Sequence, residues 1–470
     1  MKTLVKAWRQ KGINSFVYLD DVLVLAKSPK KLAKDMAYVL DTLAQSGLQI
    51  NYKKSVLQPT QKVQHLGFLL DLEKGLLQVP VEKLSFMRKE LKQLDSKKFL
   101  TPRKMASILG ALRSFLTAFP PLRSFTDLML AFVRQHQQFH WDKSLPIPPP
   151  LQGEVQKLLD LMSVWKGRNL DGRVPVRQLH SDSSDTMWAG VDLHTRSRVQ
   201  EYWRGEGVLH ITVKELKAAV DTVRSLAQPG EVVQLGVDNS VAYYYLLKGG
   251  GRLPHLNQLM REFWDWCLQK NILVKVHLLK SADDLADKYT RLGMDKGDYT
   301  LEDNLFLHLK SRAFSNLGGG HAPPPLWDMF ASPGNAKSSL FCSRFPHWQA
   351  QKVDALSCPL EDVKFCYANP PWNLVGRWLS RLLDNPQVVC WLVAPLWVSA
   401  PWWPLLVQLQ VPNTQALEVV PFPGMFADCM GEPMPAPRWP LLSVMLSGRH
   451  WREGKFRLKG SILTYNNWEP

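Results

Sequence analysis

Two stretches rich in proline and glycine, LPIPPPLQG at 145–153 and NLGGGHAPPP at 316–325, interrupt this chain. Proline lacks the backbone N–H that an inner helical turn or a central strand requires, so hydrophobic patterning cannot run through either break. Each flanking segment must close its own core. With 470 residues, 45% of them hydrophobic, the chain has enough material for several cores, and its length suggests about three domains. The fold class expected is therefore multidomain α/β.

The first segment alternates short β-rich runs, FVYL and VLVLA, with the helical pattern KLAKDMAYVLDTLAQSG, in which Leu32, Met36, Leu40 and Leu43 share a face and Gly47 ends the run. QINYKKSVL, VQHLGFLLD and GLLQVP are expected as further strands. From Val81 the pattern is helical, and Thr101 followed by Pro102 marks a helix start at TPRKMASILGALRSFL. After the first break comes a helix at VQKLLDLMSVW. A second α/β series follows Gly172, with strands at VRQLHSD, TMWAGVDL and RVQEYWR, a helix at VKELKAAVDTVRSLA and a strand at EVVQLGVD. Helices at SVAYYYLLKGG and LNQLMREFWDWCLQK, a strand at ILVKVHLL and a short helix at DDLADKYTR complete it. A third series follows the second break, through FCYA, NLVGRWLSRLLD, VVCWLVA, LEVVPF and LLSVML.

The formal net charge is +16, and residues 1–110 carry 20 basic against 9 acidic side chains. Such a concentrated excess points to a polyanionic partner, nucleic acid before an acidic membrane surface. Six cysteines, five of them after residue 340, show no C-x-x-C pair, which excludes a zinc ribbon or a disulfide framework and fits reduced core thiols. The N-terminus has no apolar run of signal-peptide length. Val388–Val407 is apolar over a bilayer-spanning length, but Pro395, Pro401 and Pro404 interrupt it, and a buried strand followed by a loop is the expectation. No membrane partner is expected.

In the second series, Asp182 falls where a strand ends, Glu215 in the expected first turn of a helix and Asp238 at the end of another strand; Asp287 lies in a short helix, with Asp283 one turn earlier. Taken singly, each is explained by solvation or by the helix dipole. Taken together at converging element ends, they can form a cluster that divalent cations must neutralise, because close carboxylates resist joint ionisation. Two such ions can activate water and stabilise the leaving oxygen of a phosphodiester. The order of elements, with SDSS at 181–184, ELKA at 215–218, VDNS at 237–240 and LADKYTR at 285–291, resembles the ribonuclease H domain of retroelements. The resemblance implies Asp182, Glu215, Asp238 and Asp287 as magnesium or manganese ligands.

YLDD at 18–21 places Asp20 and Asp21 between two apolar, β-rich runs. Beside a ribonuclease H series it resembles the reverse-transcriptase palm hairpin, which implies that both aspartates hold catalytic metal ions. NYKKS, with Lys53 and Lys54, and HLGF at 65–68 are similar to the next palm motifs, and 81–172 to a thumb and connection. The family also needs a third carboxylate on an earlier strand and the fingers, for which the nineteen residues before Asp20 leave no room. The expectation is a partial palm that does not polymerise DNA by itself, with an upstream polymerase portion outside this chain.

In the third series, ANPPW at 368–372 follows a strand. Asn-Pro-Pro-aromatic at a strand end resembles methyltransferases acting on exocyclic amino groups, where an amide oxygen accepts a hydrogen bond from the amine and the ring stacks on a flipped base. WDMFASPGNAKSSLFCSR at 327–344 and VDALS at 353–357 resemble the phage-type adenine methyltransferase module that DIRS-like tyrosine-recombinase retrotransposons carry after their ribonuclease H. That resemblance implies Asn369, Pro370, Pro371 and Trp372 at the target base and Asp328 and Asn335 near S-adenosylmethionine. The sequence departs from the family in having no F-x-G-x-G loop and a tryptophan where tyrosine or phenylalanine is usual.

The domains expected are thus a partial palm (1–80), a helical thumb and connection (81–172), a ribonuclease H-like domain (173–295), a linker (296–325) and a Rossmann-like methyltransferase domain (326–460). The function expected is cleavage of RNA in RNA–DNA hybrids, with RNA–DNA hybrid and DNA as partners, in the cytoplasm or nucleus and not in the secretory route. Two alternatives stay open, a catalytically decayed nucleic-acid-binding protein and a DNA adenine methyltransferase.

Overall fold

The computed structural model describes residues 1–136, 138, 140–170, 175–204, 209–292, 298–315, 325–412 and 414–450. Most of the second break, the 173–174 boundary, part of the linker and the stretch 451–460 fall outside the described residues. The chain is a mixed α/β multidomain protein that divides into two units, Met1–Val174 with Tyr244–Asp265, and Pro175–Tyr243 with Trp266–Pro470.

In the first unit, α1 (Lys2–Gln10) precedes a two-stranded hairpin, β1 (Asn14–Tyr18) and β2 (Asp21–Leu25), and α2 (Pro29–Gln45) closes over it. Ser28 caps α2 by accepting from the Lys31 amide at 3.3 Å, with Pro29 at the first helical position. Trp8, Ile13, Val24, Val39 and Leu43 form the core, and the Trp8 indole donates to Thr42 Oγ1 at 2.8 Å, so the one polar edge of that ring is satisfied. QINYKKSVL contains no strand, and VQHLGFLLD is a hairpin, β3 (Lys62–His65) and β4 (Phe68–Asp71), turning at Leu66 and Gly67 with φ of 48° and 82°. Two consecutive positive φ values are the geometry of a two-residue hairpin turn. β5 (Leu76–Gln78) extends this sheet. The helices α3 (Val81–Asp95), α4 (Pro102–Ser114), α5 (Asp127–His136) and α6 (Pro149–Val164) follow, with a small pair, β6 (Phe99–Leu100) and β7 (Leu145–Pro146), and β8 (Arg168–Asn169) returning to β5. Thr101 caps α4 as expected, at 3.2 Å from the Lys104 amide. The first break is in part a helix start, because Pro149 and Pro150 occupy the opening positions of α6, where no amide donor is needed.

The second unit opens with a five-stranded sheet of β9 (Arg177–Ser183), β10 (Met187–Asp192), β11 (Arg198–Tyr202), β12 (Val232–Val237) and β13 (Leu273–Leu278), in the order β11-β10-β9-β12-β13. The first three are antiparallel, whereas β12 runs parallel to β9 and to β13. Helix α7 (Ile211–Leu226) packs on β9 and β10; Gly190 lies under it, where a Cβ would stand 2.2 Å from Thr222 Oγ1. Helices α8 (Ser240–Lys248) and α9 (Pro254–Gln269) separate β12 from β13, and the four-residue α10 (Asp287–Thr290) follows β13.

A pair of short strands, β14 (Thr300–Leu301) and β21 (Phe426–Ala427), flanks a seven-stranded sheet with the order β17-β16-β15-β18-β19-β22-β20. Its members are β15 (Trp327–Ala331), β16 (Leu340–Ser343), β17 (Lys352–Val353), β18 (Phe365–Ala368), β19 (Val389–Pro395), β20 (Leu417–Val419) and β22 (Leu441–Ser447). The first five in spatial order are parallel and β22 is antiparallel to both its neighbours. Along β18 and β19, Cys366, Ala368, Cys390, Leu392 and Ala394 meet α12 (Val375–Leu383) and α13 (Trp403–Leu409) on one face; Phe365, Tyr367, Trp391 and Val393 meet α11 (Asp303–Ser315) on the other. Strands covered on both faces read as continuous apolar runs, which is why Val388–Val407 looks like a membrane segment. It is β19 and a short helix, and no helix among the described residues is long and apolar enough to cross a membrane.

Candidate functional site

Because β9 and β12 are parallel neighbours with Val237 opposite Ser181, the next residues, Asp182 and Asp238, stand side by side at the carboxyl edge of the sheet. Helix α7 delivers Glu215 to them. One carboxylate oxygen from each of Asp182, Glu215 and Asp238 lies within 4.8 Å of the others. Glu215 is in the second turn of α7, which begins at Ile211 behind the His210 cap, so the helix-dipole account does not explain it. It is 7% exposed and Asp182 6%; burial of two acids this close needs a compensating cation or a proton.

Their surroundings are ordered. The Thr290 hydroxyl of α10 donates to Asp182 Oδ2 at 2.5 Å, and the Ser281 hydroxyl to Asp238 Oδ2 at 2.7 Å. Burial, reinforced by Asp182, Asp238 and Asp284, pushes Glu215 up to about 9. Burial also raises Asp182 to about 6, against the Thr290 hydrogen bond and with repulsion from Asp284, Asp238 and Asp287. Asp287 lies near enough to repel Asp182 but outside the trio, its Oδ1 accepting from Arg291 Nε at 2.8 Å. The residue missed from sequence is Asp284, not its neighbour Asp283. Asp284 is 6% exposed, caps Ala286 N–H at 2.8 Å, sits 3.6 Å from His180 Nδ1 and leaves Oδ2 buried without a hydrogen-bond partner. His180 Nδ1 in turn accepts from the Leu285 amide at 3.2 Å, which ties the α10 segment to β9.

Asp20 and Asp21 occupy the tip of the β1–β2 hairpin, where Tyr18 pairs with Asp21 and Leu19 turns with φ of 55°. Both are exposed, as are Phe16, Tyr18 and Leu19, so the apolar context expected around them is surface. Among the described residues neither belongs to a group of three possible metal ligands.

In the seven-stranded sheet the strand order reverses between β15 and β18, the position where parallel α/β sheets open a crevice beyond their carboxyl ends. A cavity of about 750 Å³ lies there, lined by Asn335, Asn369 and Pro371 among others and walled by Gln200 and Glu201 of β11. Asn335 donates to Asp298 Oδ1 at 3.1 Å and accepts from the Ser332 amide at 2.6 Å. Asp328 is not in the lining; buried at 2% exposure, it accepts from the Lys337 amide at 2.9 Å and so folds the loop that carries Asn335. Pro370 is buried, and Trp372 packs edge-to-face against Trp397 and Trp439, with centroids 5.8 and 4.8 Å away.

No curated protein matches the chain. Among solved structures it is similar to the foamy viral protease-reverse transcriptase dRH in complex with double-stranded DNA, at 16% identity over 58% of this chain and 47% of that one, with a TM-score of 0.31. The foamy viral protease-reverse transcriptase with an RNA/DNA hybrid gives 13%, 64%, 41% and 0.32 in the same order, and with double-stranded DNA 17%, 60%, 57% and 0.31. The chain thus spans about half the length of these structures. Residues 1–70, which hold the hairpin bearing Asp20 and Asp21, match the family model for reverse transcriptase (RNA-dependent DNA polymerase).

Proposed function

We propose that this chain cuts the RNA strand of RNA–DNA hybrids, as a ribonuclease H joined to a reverse-transcriptase-like palm segment. The observation that carries the reading is the meeting of buried Asp182 and Glu215 with half-buried Asp238 within 4.8 Å. All-oxygen donors of this charge suit magnesium or manganese, which when bound supply a more acidic water and charge for the departing oxygen. The protein's own part is to fix the acids: Thr290 orients Asp182, Ser281 orients Asp238, and α7 holds Glu215 out of bulk water. The basic excess over residues 1–110 supports a nucleic-acid partner whose binding weakens with salt. At the hairpin tip Asp20 and Asp21 are exposed and, among the described residues, have no third acid grouped with them, which supports the reading that this chain does not synthesise DNA by itself. The test is cleavage of a labelled RNA strand in a hybrid with magnesium or manganese, beside Asp238→Asn. Metal-dependent cutting lost in the variant supports the reading; equal inertness of both, with hybrid still bound, favours a decayed nucleic-acid-binding protein.

A second site has its own support. The cavity at the strand-order reversal is of small-molecule size, and Asn369 and Pro371 of the ANPPW segment reach it. We read it as a cofactor pocket for S-adenosylmethionine in an adenine methyltransferase-like module. Binding of that compound to the purified chain, by calorimetry, is its test.

A further inference from the structure

We propose that Cys342 and Cys358 form a redox site: a hydroperoxide joins them as a disulfide, and the ring so closed fixes the wall of the cavity at the strand-order reversal. The inference stands on the placement of the thiols and is independent of the ligand that the cavity takes. All six cysteines are buried and free, and in this pair the two sulfurs lie 3.9 Å apart. Cys342 is on β16, and Cys358 is in the turn after β17, where its amide donates to the Asp354 carbonyl at 2.9 Å. A disulfide needs the sulfurs at about 2.05 Å, and side-chain rotation with a small shift of a turn outside any strand supplies the rest of the approach. Cys366 and Cys390 differ: they stand opposite each other in the register of β18 and β19, where strand pairing fixes both backbones, and the Trp378 indole donates to Cys390 Sγ at 3.4 Å.

The two sulfurs are not equivalent. Lys352 Nζ donates to the Pro359 carbonyl at 2.8 Å and pairs with Asp362 at 2.6 Å, and Arg381 donates to the Cys358 carbonyl, so two cations stand beside Cys358. The hydrogen bond from Cys342, helped by these cations, holds the Cys358 thiol below its ordinary range against burial and Asp354, whereas the same bond and burial push Cys342 up. The thiolate is the attacking form, which makes Cys358 the nucleophile and Cys342 the resolving thiol. Cys342 lines the cavity, which gives a small oxidant its route to the pair. The Cys358 thiolate attacks one peroxide oxygen, the O–O bond breaks, and the departing hydroxide takes the Cys342 proton to become water. The Cys342 thiolate then attacks the sulfenic sulfur of Cys358; the S–S bond forms, the S–O bond breaks, and the second hydroxide becomes water with a proton from solvent. Both sulfurs are oxidised and the peroxide is reduced. The ring closed from 342 to 358 contains Phe345, His347, Asp354 and Leu356, all of which line the cavity.

The test takes the full chain, reduced and freed of reductant, through hydrogen peroxide at neutral pH, then unfolds it in N-ethylmaleimide and digests it for mass spectrometry. Expected is a peptide linked through Cys342 and Cys358, lighter by two hydrogen atoms and released by dithiothreitol. Amide exchange across 343–357 should be slower by about 10-fold or more in the oxidised chain. In Cys342→Ser, which lacks the resolving thiol, dimedone should trap a sulfenic acid on Cys358; in Cys358→Ser, Cys342 should stay unlabelled. Alkylation of both thiols after peroxide, or a link made by other cysteines in their place, overturns the redox site. A link without slower exchange overturns the fixing of the wall, and dimedone on Cys342 in Cys358→Ser overturns the order of attack. Peptide mapping of the wild type decides the pairing even where a variant fails to fold.

Discussion

Glu215→Gln separates stability from function in a way that the geometry quantifies. In the metal-free protein Glu215 is pushed up to about 9 by burial and by Asp182, Asp238 and Asp284, from an ordinary value of 4.5. Between those two pH values the folded state holds a proton that the unfolded state releases, so folding stability falls as pH rises through that window and the penalty is complete above pH 9. At pH 7 the interval is about 2.5 units, or on the order of 3 kcal/mol by linkage. Glutamine keeps the shape and removes the titration. In EDTA the variant should therefore melt higher than the wild type, by about 5–10 °C at pH 7 for a unit of this size, with the gap widening towards pH 8.5 and closing towards pH 5. Magnesium reverses the ranking, since it binds the ionised trio and stabilises the wild type by mass action, while the variant has lost one ligand. Thermal melts at pH 5, 7 and 8.5, with chelator and with 10 mM magnesium, provide the assay. A pH-independent difference in EDTA, or an equal magnesium gain in both proteins, refutes the account of these acids as a cation site held under mutual repulsion.

Asp284→Ala removes a buried cap and its contact with His180, and should lower stability by about 1–3 kcal/mol in denaturant melts and slow hybrid cleavage without abolishing it. Thr290→Val takes the hydroxyl from Asp182 Oδ2; cleavage should fall about 10-fold with magnesium affinity reduced, and unchanged affinity would count against its positioning role. Gly190→Ala forces a methyl against Thr222, 2.2 Å away, and should cost about 1–3 kcal/mol by overpacking, partly recovered with Thr222→Ser. Primer extension on a DNA or RNA template should yield no product from the purified chain, and template-dependent synthesis would overturn the reading that this chain does not polymerise DNA by itself.

The parts of the fold legible from sequence are those where period and punctuation agree. Strands β9 to β13 and α7 stand where alternating apolar residues and flanking turns put them, and Thr101–Pro102 opens α4 because a cap and a proline are both local signals. Errors arise where identical local chemistry serves two structures. Consecutive prolines suit a linker or the first turn of a helix, and α6 takes the second. HLGF suits a strand or a turn, and only the positive φ at Leu66 and Gly67 shows the turn. YLDD suggests burial because its neighbours are apolar, yet a two-stranded hairpin has two faces and only one is covered, leaving Phe16 at 52% and Tyr18 at 60% exposure.

The acid cluster shows the same division more sharply. Asp182 and Asp238 are legible because a strand end is a local property and parallel pairing then sets them side by side. Glu215 needs the helix phase, and a start two residues earlier than the pattern suggests moves it from a dipole position in the first turn to a buried one in the second without disturbing its contact with the pair. Asp283 and Asp284 are indistinguishable in sequence. What chooses between them is the turn entering α10, which points Asp284 inward to cap Ala286 and meet His180. That choice adds a negative charge beside Asp182 and Glu215, with His180 3.6 Å away, and it raises both. A site built for one small organic ligand has no use for such repulsion, whereas a site that must hold doubly charged ions does, because each added acid deepens the potential that draws them in. The fifth acid, invisible to spacing, thus deepens the negative potential of the Asp182, Glu215 and Asp238 cluster at this edge of the sheet.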